Sequence, residues 1–581
     1  MTWRDLGAGE IRPEHVGRNL KLAGWVARRR DHGGLVFVDL RDSSGISQLV
    51  VNPERAPEAA AAAREIRNEF VLQAEGEIAA RAPENVNPGL PTGEVELQVD
   101  RLEIISRSPP LPFQLDEEGV DETLRLRYRW LDLRRERLQR NLRLRAQAVS
   151  IIRREMEAAG FVDIETPIMA KPTPEGARDF LVPTRLQKGR FFALPQSPQI
   201  YKQLLVISGF ERYYQIARCF RDEDVRADRV QELTQLDVEM AFPDRELIFE
   251  LVERTFSAVW RECIDAELPM PFPRLPYAEA MLRYGTDKPD LRFGLEIEEA
   301  TEVTRGSTFK VFAEAPVVRY LTVPQELSRA ELAELEEFAK EWGAKGLAYI
   351  VYGEDGEARS PIEKFLSEPE RAAFRAEPGS TILFGADRPE IVARVLGALR
   401  VRLGDELGLA ESGLWRPLWV TDFPMFDWDE EQQEWKANHH PFTAPTPESE
   451  ELLSSDPGAA VAQAYDFVLN GNELGSGSIR IHRPEVQQAV FDVLGISPEE
   501  QRDRFGFLLD ALGMGAPPHG GIAPGIDRTV MLLAGEPNLR DTVAFPKNQA
   551  GVDPMSGAPS EVPQEQLDEL GIRLVPEKEK G

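Results

Sequence analysis

The chain has 581 residues, more than one hydrophobic core normally organises (the limit is ~250–300 residues), so several domains are expected. Its 69 Lys and Arg against 99 Asp and Glu give a net charge of −30 and a pI of about 4.8, which excludes a generally basic nucleic-acid binder but leaves room for local basic stripes. Cys219 and Cys263 lack metal-type spacing, no apolar run reaches ~18 residues and MTWRDLGAGE is no signal peptide, so a soluble cytoplasmic protein without disulfides or membrane contact is expected.

Residues 1–106 read as five strands near 20–27, 35–41, 46–51, 70–78 and 94–105, with one helix at 56–66 between the third and fourth. That order suits an OB-fold barrel, a common platform for single-stranded nucleic acid. Residues 107–139 read as a linker that opens on the proline-rich SRSPPLPFQLDEEG. From 125 to 145 come nine arginines against only Asp132 and Glu136, either a solvated helix face or a stripe that meets a polyanion.

An α/β region is expected over 140–289. Leu144, Val149, Ile152 and Met156 have helical spacing, and that helix should stop at Gly160. A strand is then expected to end at Pro167. Residues 213–221 and 233–240 alternate like two strands joined by a charged loop. Residues 290–415 form an insertion with its own helices and strands, including a helix capped by Ser328. Catalytic-looking sequence resumes over 416–581. There, Gly520, Gly521 and Gly525 let the backbone pass close to a ligand, and Asp527 and Arg528 open an apolar helix.

Three strings, GFVDIETPIMAKPTPEGARDF, FRDEDVRADRVQELTQLDVEM and GAPPHGGIAPGIDRTVMLLAG, resemble motifs 1, 2 and 3 of class II aminoacyl-tRNA synthetases. The finer match is to the bacterial aspartyl-tRNA synthetases. It extends over nearly the whole chain through LPQSPQIYKQLL, NHHPFTAP, GNELGSGSIRIH and WVARRRDHGGLVFVDLRD. The resemblance implies an α/β multidomain protein: an OB-fold anticodon-binding domain, an antiparallel-sheet catalytic domain and a bacterial-type α+β insertion. It also implies a homodimer through motif 1 and Pro167. The implied reaction consumes ATP with Mg²⁺ and L-aspartate and charges tRNA(Asp), or both tRNA(Asp) and tRNA(Asn), with no DNA partner.

Residue by residue, the resemblance makes Arg221 and Arg528 the catalytic cations. Guanidinium forks match phosphate geometry where lysine acts as a point charge. Asp222, Glu223, Leu233, Glu473, Gly525, Ile526 and Asp527 join them around ATP, and Asp466 with Glu473 is the expected Mg²⁺ pair. For aspartate, Glu175, Ser197 and Gln199 would accept from the ammonium. Lys202, held by Asp237, and Arg480 would bind the side-chain carboxylate, with Arg221 on the reacting carboxylate. His439 would close over the substrate. A zinc site at His439 and His440 is disfavoured, since neighbours on a strand point oppositely. Histidine titrates near neutrality, so a proton-acceptor role stays open. His519 is expected to satisfy a loop hydrogen bond. In the barrel, Phe37 would stack on a base, Gln48 read an edge, and Arg28, Arg29 and Arg30 hold phosphates. His32, expected in the loop after RRRD, is either a solvated loop residue or a reader of the third anticodon letter. Two departures stand out: Leu233 and Val230 replace the family's usual phenylalanine and glutamine, and Pro524 replaces a larger side chain.

Overall fold

The structure is a computed structural model that describes residues 2–172, 177–227, 229–374 and 376–575. By internal contacts the chain forms two compact units, 1–120 and 121–581.

In the first unit, strands Asn19–His32, Leu35–Asp42, Gly45–Val51, Val95–Ser106 and Val71–Ala80 close in that order into a barrel. The helix Pro57–Ala63 lies between the third and fourth strands in sequence. Period-2 alternation sends Leu20, Leu22, Val26, Val36, Val38 and Leu40 into the core. The first strand then carries an extra residue. Val26 pairs with Leu40 but Arg28 pairs with Asp39, so Ala27 forms a β-bulge. The bulge reverses the phase of everything after it. Arg28, Arg30 and His32 face outward opposite Asp39, Phe37 and Leu35, and Gln48, paired with Asp39, shares that outer face.

The expected loop at His32 is shorter than the sequence reading placed it. His32 is the last residue of its strand, and only Gly33 and Gly34 turn the hairpin. Both have positive φ, 59° and 85°, as the tightest hairpin turns demand.

The second unit is built on an eight-stranded sheet. Its order is Arg274–Pro276, Pro417–Thr421, Ala464–Leu469, Asn472–Ile479, His519–Pro524, Glu232–Ala241, Arg212–Phe220 and Val162–Asp163. All pairings are antiparallel except the outermost at each edge, which are parallel. The expected strand ending at Pro167 is reduced to Val162–Asp163, and Pro167 is exposed beyond it. Helices Glu136–Ala158 and Arg245–Ile264 bury Ile151, Ile152, Phe256 and Trp260 in the core under the sheet. The first of them ends before Gly160, whose φ of 79° suits a helix stop. The insertion has its own five-stranded sheet, ordered Ile297–Glu299, Val317–Val323, Thr381–Asp387, Ala348–Tyr352 and Ala358–Arg359, and its own cores.

The linker expected over 107–139 is corrected. Helices Glu122–Arg127, Arg129–Asp132 and the start of Glu136–Ala158 occupy much of it and belong to the second unit. The arginine run is only in part a solvated face: Arg127, Arg140 and Arg143 are exposed, whereas others are drawn into the protein. Arg129 is buried and donates to the Arg540, Val543 and Ala544 carbonyls and to Asp132. Arg137 pairs with Glu536 and Asp541, Arg125 with Asp132 and Asp541, and Arg145 with Asp527. Acids some 400 residues away in sequence, together with Asp132, neutralise part of the run.

Candidate active site

A cavity of about 390 Å³ opens on the face of the eight-stranded sheet and gathers residues from motifs 2 and 3, but none of the described residues of motif 1. Alternation along Glu232–Ala241 puts Leu233, Gln235, Asp237 and Glu239 on the face that looks into it. On the helix Gln199–Ile207, residues three and four apart share a side, which sets Gln199, Lys202 and Gln203 against that strand. Gly521 stands opposite Glu239, and a Cβ there would lie 2.3 Å from the Glu239 carboxylate and 1.9 Å from the Val238 carbonyl oxygen. Only glycine leaves room for that acid.

The floor of the cavity is a buried four-charge cluster. Lys202 Nζ lies 3.0 Å from Asp237 Oδ2 and 3.5 Å from Glu239 Oε2. Arg480 donates to Glu239 from Nε at 3.0 Å and Nη2 at 3.2 Å, and from Nη1 to Ser478 Oγ and His440 Nε2. All four charged side chains are at most 2% exposed. Burial pushes both acids up, but they end apart. At Glu239 the attraction of Arg480 and Lys202 outweighs burial and holds the carboxyl below its ordinary value. At Asp237 burial wins over Lys202 and the carboxyl is raised. Glu239 was missed by the sequence reading, although it stands two residues after Asp237 on the same alternating face.

Motif 2 brings Arg221, Glu223, Val230 and Leu233 to the cavity, and motif 3 brings Gly525, Asp527 and Arg528. Glu223 faces Arg229 at 3.5 Å. Arg528 donates to the Glu473 carbonyl. Asp527 spends both carboxylate oxygens on the protein, one on Arg145 at 2.5 Å and one on the Thr234 N–H at 2.7 Å. It therefore ties motif 3 to motif 2 rather than presenting a free acid. Two expected ATP residues do not meet the cavity. Asp222 is exposed, its N–H bonded to the Arg178 carbonyl, and Ile526 is buried in the core beneath the sheet. Glu175 lies outside the described residues.

Ser197 and Gln199 line the cavity, with the Gln199 N–H donating to Ser197 Oγ. His439 and His440 follow the strand Glu434–Ala437 and lie outside any strand, so the expected opposite pointing does not hold and both reach the cavity. His440 accepts from Arg480 at 2.7 Å. His439 Nδ1 lies 3.4 Å from Ser476 Oγ, its ring meets Phe423 edge-on, and its buried Nε2 has no partner among the described residues. Burial, then the nearby Arg480, lowers His439 to about 4 and His440 well below the usual range. Both rings are neutral at physiological pH. His519 opens a strand and bonds the carbonyl of Pro517 in the loop before it, the kind of hydrogen bond expected of it.

Behind Glu473, Asp466 is buried with its Oδ1 unpartnered among the described residues. Burial first, then the neighbouring Glu473, drives its carboxyl well above the usual range. Among the described residues no group of three or more His, Cys, Asp or Glu could hold a metal ion by itself.

In the barrel, Arg30 pairs with Asp39 at 2.7 Å and reaches Gln48, whose amide donates to Glu96. Arg29 is a correction. It points to the other face from Arg28 and Arg30, donates to the Ala63 carbonyl at 2.9 Å and pairs with Asp31, so it helps fasten the helix Pro57–Ala63.

The profile of the family described as "tRNA synthetases class II (D, K and N)" matches residues 121–549, and that of the "OB-fold nucleic acid binding domain" matches residues 20–105. The chain belongs to the class II tRNA synthetases. It is 52% identical to a protein of Syntrophomonas wolfei over 98% of this chain and 99% of the relative. It is 51% identical to one of Nitratidesulfovibrio vulgaris over 97% and 94%. Both relatives are named "Aspartate--tRNA(Asp/Asn) ligase". Among solved structures, an asparaginyl-tRNA synthetase from Pyrococcus horikoshii aligns with a TM-score of 0.60 at 19% identity, covering 93% of this chain and 97% of that one. A putative aspartyl-tRNA synthetase from Leishmania major gives 0.60 at 20% identity, covering 94% of each. At such identity these two speak for the fold alone.

Proposed function

We propose that this synthetase is an aspartate–tRNA ligase. The aspartate α-carboxylate attacks the α-phosphorus of ATP, an acyl–phosphate bond forms, and the bond to pyrophosphate breaks. The terminal ribose hydroxyl of tRNA then attacks the carbonyl of the mixed anhydride and releases AMP. No protein nucleophile is needed, and catalysis is alignment and charge stabilisation. Arg221 and Arg528, which both line the cavity, supply it by gripping the reacting phosphate and the nucleotide.

The observation that carries the choice of aspartate is the Lys202–Arg480 pair. Lys202 has three N–H donors, and its two ion-pair contacts to Asp237 and Glu239 leave one for a substrate. A carboxylate accepts from both cations. An asparagine amide would turn donors toward donors, which buried sites reject strongly. The name shared by relatives about half identical supports the same choice.

Asp466 and Glu473 fit a magnesium ion. A buried, unpartnered carboxylate oxygen beside a second acid is what a hard cation would relieve. Two protein carboxylates suffice, because Mg²⁺ usually completes its shell with water and substrate phosphates. When bound, it would neutralise phosphate charge.

The chain is further read as a homodimer. Val162, Ile168 and Met169 are about half exposed around Pro167 at the sheet edge, an apolar surface that a second copy would cover. For tRNA, a relaxed enzyme that charges tRNA(Asp) and tRNA(Asn) is favoured by the relatives' printed name and by His32 on the outer barrel face beside Arg30 and Phe37. The two anticodons differ in cytosine against uracil, and neutral imidazole offers one donor and one acceptor. The experiment is aminoacylation with each of the twenty amino acids and with matched tRNA(Asp) and tRNA(Asn) transcripts at one salt concentration. Aspartate alone should be activated, and kcat/KM for the two tRNAs should agree within about tenfold. A gap beyond ~1000-fold, or ~4 kcal/mol, would leave a strict tRNA(Asp) enzyme.

A further inference from the structure

A buried polar chain runs from the cavity wall into the protein and ends on a group whose polarity is fixed. The Pro517 carbonyl can only accept, and His519 Nδ1 lies 2.8 Å from it, so Nδ1 carries the ring proton. The ring is neutral in its buried setting, so Nε2 is an acceptor. Gln203 Nε2 lies 3.0 Å from it and must be the NH₂ end of that amide. The Gln203 oxygen is thereby turned to Gln199, whose NH₂ donates to it at 3.3 Å. The amide oxygen of Gln199 is the end left over, and Gln199 lines the cavity while Gln203 and His519 do not. His519 and Gln203 are at most 1% exposed.

We propose that His519 and Gln203 are positioning residues that set the amide polarity of Gln199, so that it offers an oxygen rather than an NH₂ to the α-ammonium of the amino-acid substrate. The proposal rests on the reading of Gln199 as an ammonium acceptor. Each link is forced by the one before it, starting from a main-chain carbonyl that cannot reverse. Without the relay, the Gln199 amide is free to rotate, and in half of its orientations a donor meets a cation.

The test uses the full-length enzyme in aspartate-dependent ATP–pyrophosphate exchange, with succinate as a competitive probe. Succinate keeps both carboxylates and lacks the ammonium. Gln203→Met removes the relay in similar volume, and His519→Met breaks it one step deeper. Hydrogen bonds to charged groups are the stronger kind, so each variant should raise the aspartate KM by about 10- to 100-fold while the ATP KM and the succinate inhibition constant move less than about threefold. Gln203→Glu keeps an oxygen toward Gln199, its other oxygen drawing a proton onto His519 Nε2, and should recover most of the aspartate affinity. An aspartate KM that stays within about threefold overturns the relay. So does an equal rise in the succinate constant, which would mean a general distortion of the pocket. Gln199→Met separates the two layers. If it raises the aspartate KM and the relay variants do not, only the relay falls; if it too has no effect, the ammonium reading of Gln199 falls with it. Should the methionine variants not fold, a Gln199→Glu background with Gln203 kept decides. A carboxylate at 199 needs no orientation, so His519→Asn in that background should no longer change the aspartate KM, and a persisting change overturns the proposal.

Discussion

Replacing Lys202 with methionine tests the four-charge cluster most directly. The side chain is at most 1% exposed, and its ammonium is the partner of Asp237 at 3.0 Å and a second partner of Glu239 at 3.5 Å. Glu239 keeps both contacts from Arg480 in the variant, so the loss falls on Asp237, whose other oxygen already has no partner among the described residues. Truncating one member of a buried charge pair costs ~2–5 kcal/mol. Burial already raises the Asp237 carboxyl, so uptake of a proton caps the damage, and ~2–3.5 kcal/mol is the expected range. That cost falls on stability; the substrate carboxylate loses the same ammonium, and a lost pair of comparable size is, at 1.4 kcal/mol per decade, a rise of about 30- to 300-fold in the aspartate KM. The assay is ATP–pyrophosphate exchange with each substrate varied in turn, and the ATP KM should move less than about threefold. The double variant Lys202→Met with Asp237→Asn should regain thermal stability, because the orphaned acid is gone, without regaining aspartate affinity. A folded Lys202→Met enzyme with an unchanged aspartate KM would refute the assignment of this cluster to the substrate carboxylate.

Three further outcomes are expected. Leu233→Phe should lower the ATP KM if adenine lies against the wall made by Leu233, Val230 and Leu539, since an aromatic stack on a base is worth ~1–3 kcal/mol; an unchanged or higher ATP KM means the base sits elsewhere. A fragment spanning 121–581, one of the two compact units, should form aspartyl-adenylate at close to the full-length rate and charge tRNA poorly, and loss of adenylate formation in a folded fragment would contradict that division of labour. His439 is lowered to about 4 by burial and Arg480, so the unfolded chain takes up its proton before the folded one does; its contribution to stability is complete above about pH 6.5, and is lost as the pH falls toward 4. Melting temperatures of His439→Gln should therefore fall less steeply than wild type between pH 7 and 4.5, and parallel curves would mean the ring titrates normally.

Much of the fold was legible because it is written in short-range alternation. Leu20, Leu22, Val36 and Val38 alternate with polar neighbours, and the barrel follows. What escaped was set by distance or by residues with no compositional mark. Ala27 is an ordinary alanine, and only its pairing shows that it is one residue too many. Arg129 and Arg137 read as a charged surface because their partners lie near residue 540. Asp527 looked like a substrate ligand until Arg145 and the Thr234 N–H claimed its oxygens. Glu239 was within reach, since the alternation that exposes Asp237 to the cavity exposes it too. Asp222 and Ile526 were assigned by neighbourhood in a motif, and alternation and helix phase turn their side chains away.

The bulge at Ala27 means that the outward face of the hairpin tip is fixed by a count rather than by chemistry. Deleting Ala27 would leave Val26 and Arg28 as neighbours opposite Leu40 and Asp39, so the pairing would become regular while Arg28, Arg30 and His32 kept their outward face and the strand lost its local bend. Any comparison of this stretch among relatives should be numbered from the bulge outward, because a gap placed one residue off would compare side chains that look in opposite directions.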